Sequence, residues 1–148
     1  MEMESREPEW TGTYILADSG DPEPELDIAA WERWFEIDDR RLVDATDIAP
    51  GVSITTLFLG LDYSFFPLTN PLLHKPVLWE TMILGGPLDQ ESRWYTSHED
   101  AVQGHASMTD KCRLALENWK MEHPDADQVA EALSQIASDV RETRDKQE

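Results

Sequence analysis

The alternation of hydrophobic and polar positions is clearest between Val52 and Tyr95. Two long apolar runs, Val52 to Leu61 and Pro76 to Leu84, alternate with the period of two that is typical of β-strands, and neither has a fully polar face. We therefore predict two central strands, each covered on at least part of both faces. A Gly85-Gly86-Pro87 turn and a shorter strand through Arg93 to Tyr95 follow.

Shorter patterned segments precede this block. Residues 11–17 have the composition of a first strand, and residues 40–46 are expected to be extended. Between them, Asp27 occupies an N-cap position before a helix predicted over residues 27–38. Its apolar stripe consists of Ile28, Trp31, Trp34 and Phe35, and we expect the three aromatic residues to pack on the sheet.

Two further helices are predicted after the last strand. The first begins at Ser97, a capping residue, and runs to Trp119, with His105 and Cys112 on a continuous stripe that faces the core. The second covers residues 126–142, and the polar chain beyond Arg141 is expected to fray. Its apolar residues are spaced four, three and four apart, at Val129, Leu133, Ile136 and Val140.

These elements predict an α+β fold with an antiparallel sheet of about four or five strands. The long helix is expected to cross one face of the sheet, with the two smaller helices at its edges. Residues 1–9 are expected to be a flexible acidic tail, residues 10–122 the α+β domain, and residues 123–148 a C-terminal helix with a frayed end. The loop over residues 62–75 is long for a compact domain and is expected to fold back or to contact a partner.

The charge of the chain restricts the classes of partner. Its 31 acidic and 12 basic residues give a net charge of −19, which disfavours direct binding to nucleic acid or to an anionic membrane. The charge is −11 over residues 1–48, −2 over residues 49–96 and −6 over residues 97–148, so the predicted strands are nearly uncharged. The charge permits a basic protein as a partner.

Cysteine content and hydropathy indicate a cytoplasmic protein. A single cysteine, Cys112, cannot form an internal disulfide, and the first residues lack the basic and apolar regions of a signal peptide. The run from Val52 to Leu61 is about half the length of a membrane-spanning helix.

Glu80 is the strongest candidate for a functional residue, because a carboxylate in an apolar strand is costly to bury without a partner. It could be an acid–base or ligand-binding group, or it could pair with Arg93 or lie on an exposed part of the sheet. Asp62 could stand near Glu80 if the two long strands are neighbours, and two carboxylates are the minimum for hydrolytic chemistry. The catalytic candidates are therefore Glu80, Asp62, Arg93 and His98.

The sequence predicts no metal site and no cofactor. His98, His105 and Cys112 are seven residues apart along one helix, which separates successive side chains by roughly 10 Å. The chain has no Gly-x-Ser-x-Gly motif and no phosphate-binding glycine loop.

The acidic residues suggest a second kind of site. Closely spaced carboxylates can imitate a phosphate backbone and occupy the nucleic-acid cleft of a basic enzyme, although a solvated surface that maintains solubility has the same composition. The candidate binding residues are Glu32, Glu36, Asp38, Asp39, Asp44 and Asp47.

Part of the chain resembles a family of small uncharacterised proteins encoded by bacteriophages and by bacterial genomes, in prophages. The resemblance covers roughly residues 27–108 and implies a phage or mobile-element setting, without assigning an activity or site residues. The segments that carry it are Trp31 to Glu36, Thr55 to Asp62, Leu78 to Asp89, Arg93 to Tyr95 and His98 to His105.

Three functional hypotheses follow. The favoured one is a non-enzymatic, phage-type accessory protein that binds a host or phage protein, in its sharpest form an acidic mimic that inhibits a nucleic-acid-handling enzyme. The second is a small hydrolase or ligand-binding enzyme centred on Glu80 and Asp62. The third is an assembly protein that forms a homodimer through the second face of the strands.

Overall fold

The structure is a computed structural model that describes residues 12–64 and 75–146. It confirms the α+β class. The expected acidic tail over residues 1–9 and residues 65–74 of the predicted loop lie outside the described residues. In chain order, the elements are β1 (Tyr14–Leu16), β2 (Pro22–Pro24), α1 (Ile28–Ile37), a 3-10 turn (Asp39–Arg41), β3 (Leu42–Ala49), β4 (Val52–Phe58), β5 (Trp79–Leu84), β6 (Ser92–Tyr95), α2 (His98–Glu122) and α3 (Ala126–Lys146).

The main sheet is antiparallel and has the strand order β3-β4-β5-β6. The two long apolar strands are therefore central, as predicted, although both are shorter than the apolar runs. β4 ends at Phe58 because Gly60 has a φ of +74°, outside the β region. β5 starts at Trp79, since Pro76 has no N–H and the N–H of Val77 donates to Asp62. The register of β3 against β4 is interrupted twice, between Leu42 and Asp44 and between Asp47 and Ala49.

Helix α2 covers one face of this sheet, which we call the inner face. Ser97 caps the helix by accepting a hydrogen bond from the Asp100 N–H at 3.1 Å, as the sequence predicts. The helix extends three residues past the expected end at Trp119 and stops at Glu122, before Pro124. Its buried side contacts the inner-face side chains of β4, β5 and β6, which include Ile54, Thr56, Phe58, Trp79, Thr81, Ile83 and Tyr95.

The N-terminal segment extends the core at one end of the sheet. Trp34 of α1 packs edge to face on Phe58, with ring centroids 5.7 Å apart, so this helix contacts the core as predicted. The Trp31 indole N–H donates to the carbonyl oxygens of Tyr14 at 3.1 Å and Gly60 at 3.0 Å. The first strand differs from the prediction, because it pairs with β2 in a separate two-stranded sheet rather than joining the main one.

The last helix starts at Ala126, as predicted, but extends four residues past the expected end at residue 142. α3 has 21 residues and continues to Lys146. Asp139 supports this last part, since its side chain accepts from Gln135 Nε2 at 2.9 Å and its carbonyl accepts from Thr143 Oγ1 at 3.0 Å. Basic residues in the last turn also suit the negative end of the helix. No helix in the described ranges has the length and apolar character needed to cross a membrane.

Candidate functional site

The face of the main sheet that is turned away from α2, which we call the outer face, is the principal candidate surface. Side chains alternate between the two faces along each strand, and directly paired residues of antiparallel strands share a face. The residues that alternate with the buried inner-face positions therefore belong to the outer face. They are Leu42, Ala45, Asp47, Ser53, Thr55, Leu57, Glu80, Met82, Leu84, Ser92 and Trp94.

The outer face is open and largely apolar. Leu42 is 51% exposed, Leu84 46% and Trp94 51%, while Leu57 and Met82 are partly buried between their neighbours. Among the described helices, α2 packs on the inner face and α1 contacts β1, so neither covers these side chains. Large apolar residues grouped on one exposed face are typical of an interaction surface.

Glu80 lies within this apolar surface. Its register partners are Leu57 on β4 and Trp94 on β6, and it makes no hydrogen bond or ion pair with any described residue. Arg93 is the register partner of Thr81 and is therefore directed to the inner side, so the predicted pairing of Arg93 with Glu80 is wrong. Glu80 is partly buried on the outer face, whereas the alternative prediction was an exposed part of the sheet.

Asp62 does not join Glu80. Its Oδ1 accepts hydrogen bonds from the N–H groups of Ser64 and Val77, both at 2.9 Å, and organises the start of the loop. Val77, whose N–H binds Asp62, is three residues before Glu80, which places the two carboxylates on the order of 10 Å apart by strand geometry.

His98 also lies away from Glu80. It is the first residue of α2, and its ring meets the inner-face Trp79 edge on at 6.4 Å. The four catalytic candidates are thus divided between the outer face, a strand end and the inner side of the sheet.

The six predicted acidic binding residues lie on different elements. Glu32, Glu36 and Asp39 are exposed on α1 and the 3-10 turn, while Asp47 belongs to the outer face. Asp44 pairs with Thr56 on the inner side, where its Oδ2 is 3.6 Å from His105 Nε2.

Asp38 has a structural partner. Arg40 Nε donates to its Oδ1 at 3.0 Å, and the guanidinium also donates to the carbonyl oxygens of Leu16 and Ala17, which ties the end of α1 to β1. The hydrogen bond from Arg40 holds the pKa of Asp38 below its usual value.

A buried hydrogen-bond network, absent from the sequence interpretation, joins α2 to all four strands of the main sheet. His105 is 4% exposed, and its Nδ1 lies 2.7 Å from Thr56 Oγ1 on β4. Thr56 Oγ1 is 2.5 Å from Thr81 Oγ1 on β5, which accepts from the Tyr95 hydroxyl of β6 at 3.1 Å. The other ring nitrogen, Nε2, is 2.8 Å from Thr46 Oγ1 on β3.

One direction of donation that satisfies this network runs from Tyr95 towards a neutral His105. Tyr95 donates to Thr81, Thr81 donates to Thr56, and Thr56 donates to His105 Nδ1. The imidazole proton is then on Nε2 and is donated to Thr46. The predicted core position of His105 is confirmed, but its role there is polar.

We expect Thr56→Val to destabilise the protein by about 2 kcal/mol, because it removes the buried hydrogen bonds of Thr56 Oγ1 with His105 Nδ1 and Thr81 Oγ1. Denaturant unfolding followed by tryptophan fluorescence measures the change. Thr55→Val is the matched control, since Thr55 is the adjacent residue on the partly exposed outer face. Equal effects of the two substitutions would contradict the assignment of the network as the cause.

Cys112 is buried on α2, as predicted, and burial raises the pKa of its thiol. Burial, followed by the charge of Asp62, likewise raises the pKa of Tyr14 to about 12. Within the described ranges, no three His, Cys, Asp or Glu side chains are grouped as metal ligands would be.

A cleft of about 480 Å³ lies where α2 meets α3 and does not involve the catalytic candidates. Its lining is mainly apolar and includes Pro50, Pro87, Leu116, Trp119 and Ala130. Lys120 contributes a cation to this lining.

Protein-family models, curated proteins and solved structures give no match to this chain. The resemblance to phage-encoded proteins therefore stays a prediction. The outer face and the buried network are the two features of the described chain that geometry singles out.

Proposed function

We propose that this protein is a non-enzymatic accessory protein that binds a basic partner protein through its outer face. The observation that carries the proposal is the row Leu57, Glu80 and Trp94 on an open surface. It places a carboxylate that has no partner among the described residues between an aliphatic and an aromatic side chain. Such a row suits a partner that presents an arginine or lysine surrounded by apolar groups.

The chemistry of this row fits arginine well. A guanidinium can donate two hydrogen bonds to one carboxylate while its planar face stacks on an indole ring. Glu80 and Trp94 are directly paired across β5 and β6, so both interactions are within reach of one arginine side chain. Leu42, Met82 and Leu84 would supply the surrounding apolar contact.

The net charge of −19 supports a basic partner, because a field of one sign accelerates encounter with a protein of the opposite sign. Enzymes that handle nucleic acids carry basic clefts, and the sharpest version of the proposal is that the protein inhibits one of them by occupying that cleft. The resemblance to phage-encoded proteins supports a host-cell setting, in which the partner is a host or phage protein in the cytoplasm.

The test compares bacterial-lysate proteins captured by three immobilised forms of the full chain: wild type, Glu80→Gln and Glu32→Gln. The two substitutions remove the same charge, one from the outer face and one from the exposed surface of α1. We expect a basic protein whose binding is weakened about tenfold by Glu80→Gln and little by Glu32→Gln. Trp94→Ala should weaken binding of the same protein, and high salt should release it.

Quantitative mass spectrometry of the captured proteins gives the result. Displacement of the basic protein by heparin would support competition with a polyanion and hence the inhibitory version. Equal capture by all three forms, or loss with Glu32→Gln alone, would contradict the outer face as the binding surface.

A further inference from the structure

The C-terminal helix presents an apolar stripe that the described chain leaves more than half exposed. Its four large apolar side chains are between 55% and 62% exposed, although all lie on one side of the helix. The first half of α3, at Ala126, Val129, Ala130 and Leu133, lines clefts beside the end of α2. The residues of the stripe are Val129, Leu133, Ile136 and Val140.

A helix of this composition is not expected to be stable by itself. Isolated helices gain little stability from propensity, and most of the stability of a helix in a protein comes from packing of its apolar face. α3 has 21 residues, and half-exposed Val, Leu and Ile side chains along it lose contact with water only if another surface covers them. The stripe therefore requires a partner.

The spacing of the stripe is that of a coiled coil. Alternating steps of four and three residues place Leu133 and Val140 at heptad a positions and Val129 and Ile136 at d positions. Ala126 at position a and Thr143 at position d extend the pattern to three heptads. Three of the four flanking e and g positions in the first two heptads hold small side chains, namely Ala130, Ala132 and Ala137. The fourth holds Asp139.

The charges on α3 favour another copy of the same helix. Residues 126–146 hold five acidic and three basic side chains, a net charge of −2, whereas the whole chain has −19. At the e and g positions, which flank the seam between helices, the charged residues are Asp139, Arg144 and Lys146, so two copies bring little like charge together. Asp139 at position g and Arg144 at position e are five residues apart, which is the spacing of ion pairs between parallel helices in register. A basic partner helix would be matched by an acidic flank, which α3 lacks.

We propose that α3 associates in parallel with α3 of other copies of this chain, and that the assembly contains more than two chains. The number follows from the core, because Leu133 at position a and Ile136 at position d favour three- and four-stranded packing over two-stranded packing. This inference is independent of the outer face. It implies that several outer faces are presented together, which raises the avidity for a multivalent partner.

Sedimentation equilibrium of the full chain tests the proposal. We expect a mass above that of two 16.9 kDa chains for the wild type, and the mass of one chain for Ile136→Asp. Ser138→Asp is the matched control, because it adds the same charge two residues away at an exposed position f outside the stripe, and it should keep the wild-type mass. Near-ultraviolet circular dichroism should show an intact tryptophan core in both variants.

A charge exchange tests the parallel orientation. Asp139→Arg and Arg144→Asp should each weaken association about threefold or more, and the double variant should restore it. A single-chain mass for the wild type at high concentration would overturn the proposal, as would a two-chain mass. An assembly that survives Ile136→Asp but is lost with Trp94→Ala would show that copies associate through the outer face instead.

Discussion

Replacing Gly85 by alanine is expected to lower the free energy of unfolding by about 3 kcal/mol or more. Gly85 has a φ of +83°, and a Cβ atom there would lie 1.8 Å from the carbonyl oxygen of Gly51. The clash is with backbone, so rotation of a side chain cannot relieve it. The turn after β5 and the turn between β3 and β4 would have to move apart.

Chemical denaturation of the purified variant measures this loss. Gly20→Ala is the matched control, because Gly20 has a similar φ of +91° but a Cβ atom added there would meet no other atom within 4 Å. The control should lose only about 1 kcal/mol from backbone strain. If Gly85→Ala cost no more than Gly20→Ala, the close approach of the two turns would be contradicted.

Gly104→Ala is expected to destabilise the protein by about 2 kcal/mol, although alanine normally stabilises a helix interior by about 1 kcal/mol relative to glycine. A Cβ atom at Gly104 would lie 2.2 Å from the ring and hydroxyl atoms of Tyr95. Tyr95 is buried, and its hydroxyl donates to Thr81 in the network with His105, so its ring has little freedom to move.

A double-mutant cycle isolates this contact. In a Tyr95→Ala background, Gly104→Ala should be neutral or stabilising, because the ring is gone and only helix propensity remains. Thermal unfolding of the four forms gives the coupling energy. An equal cost of Gly104→Ala in both backgrounds would show that the effect does not come from Tyr95.

Periodicity and capping were sufficient to predict most of the fold. The N-cap residues Asp27 and Ser97 and the three-and-four spacing of apolar positions placed α1 and α2 within a few residues. Alternation placed β4 and β5 at the centre of the sheet. The separate pairing of β1 with β2 was not predictable, because a strand of three residues containing two prolines has almost no pattern to detect.

The hydrogen-bond network around His105 could not be predicted from the sequence for a different reason. Threonine is common in strands through its β-branched shape, so Thr46, Thr56 and Thr81 gave no polar signal in the pattern. Their hydroxyls meet one imidazole only through the register of four strands and the position of α2. Long-range register is a property of the folded chain and not of local spacing.

The candidate site was predictable in part. Glu80 is recognisable in the sequence as a carboxylate in an apolar strand, but one of the alternatives for it, a pairing with Arg93, is replaced in the structure by a pairing with Trp94. The difference is one residue of register, and the turn between β5 and β6 sets it. Asp89 accepts a hydrogen bond from the Gly85 N–H at 2.7 Å, and Gln90, with a φ of +69°, donates to the carbonyl oxygen of Ile83.

The two interruptions in the register of β3 also affect how the protein can associate. β3 is a terminal strand of the main sheet, and its irregular backbone and the charges of Asp44 and Asp47 make it a poor template for a strand from another molecule. The opposite terminal strand, β6, has only four residues. Backbone pairing is therefore disfavoured at both edges, so a partner must recognise side chains, and growth into β-sheet fibrils is suppressed.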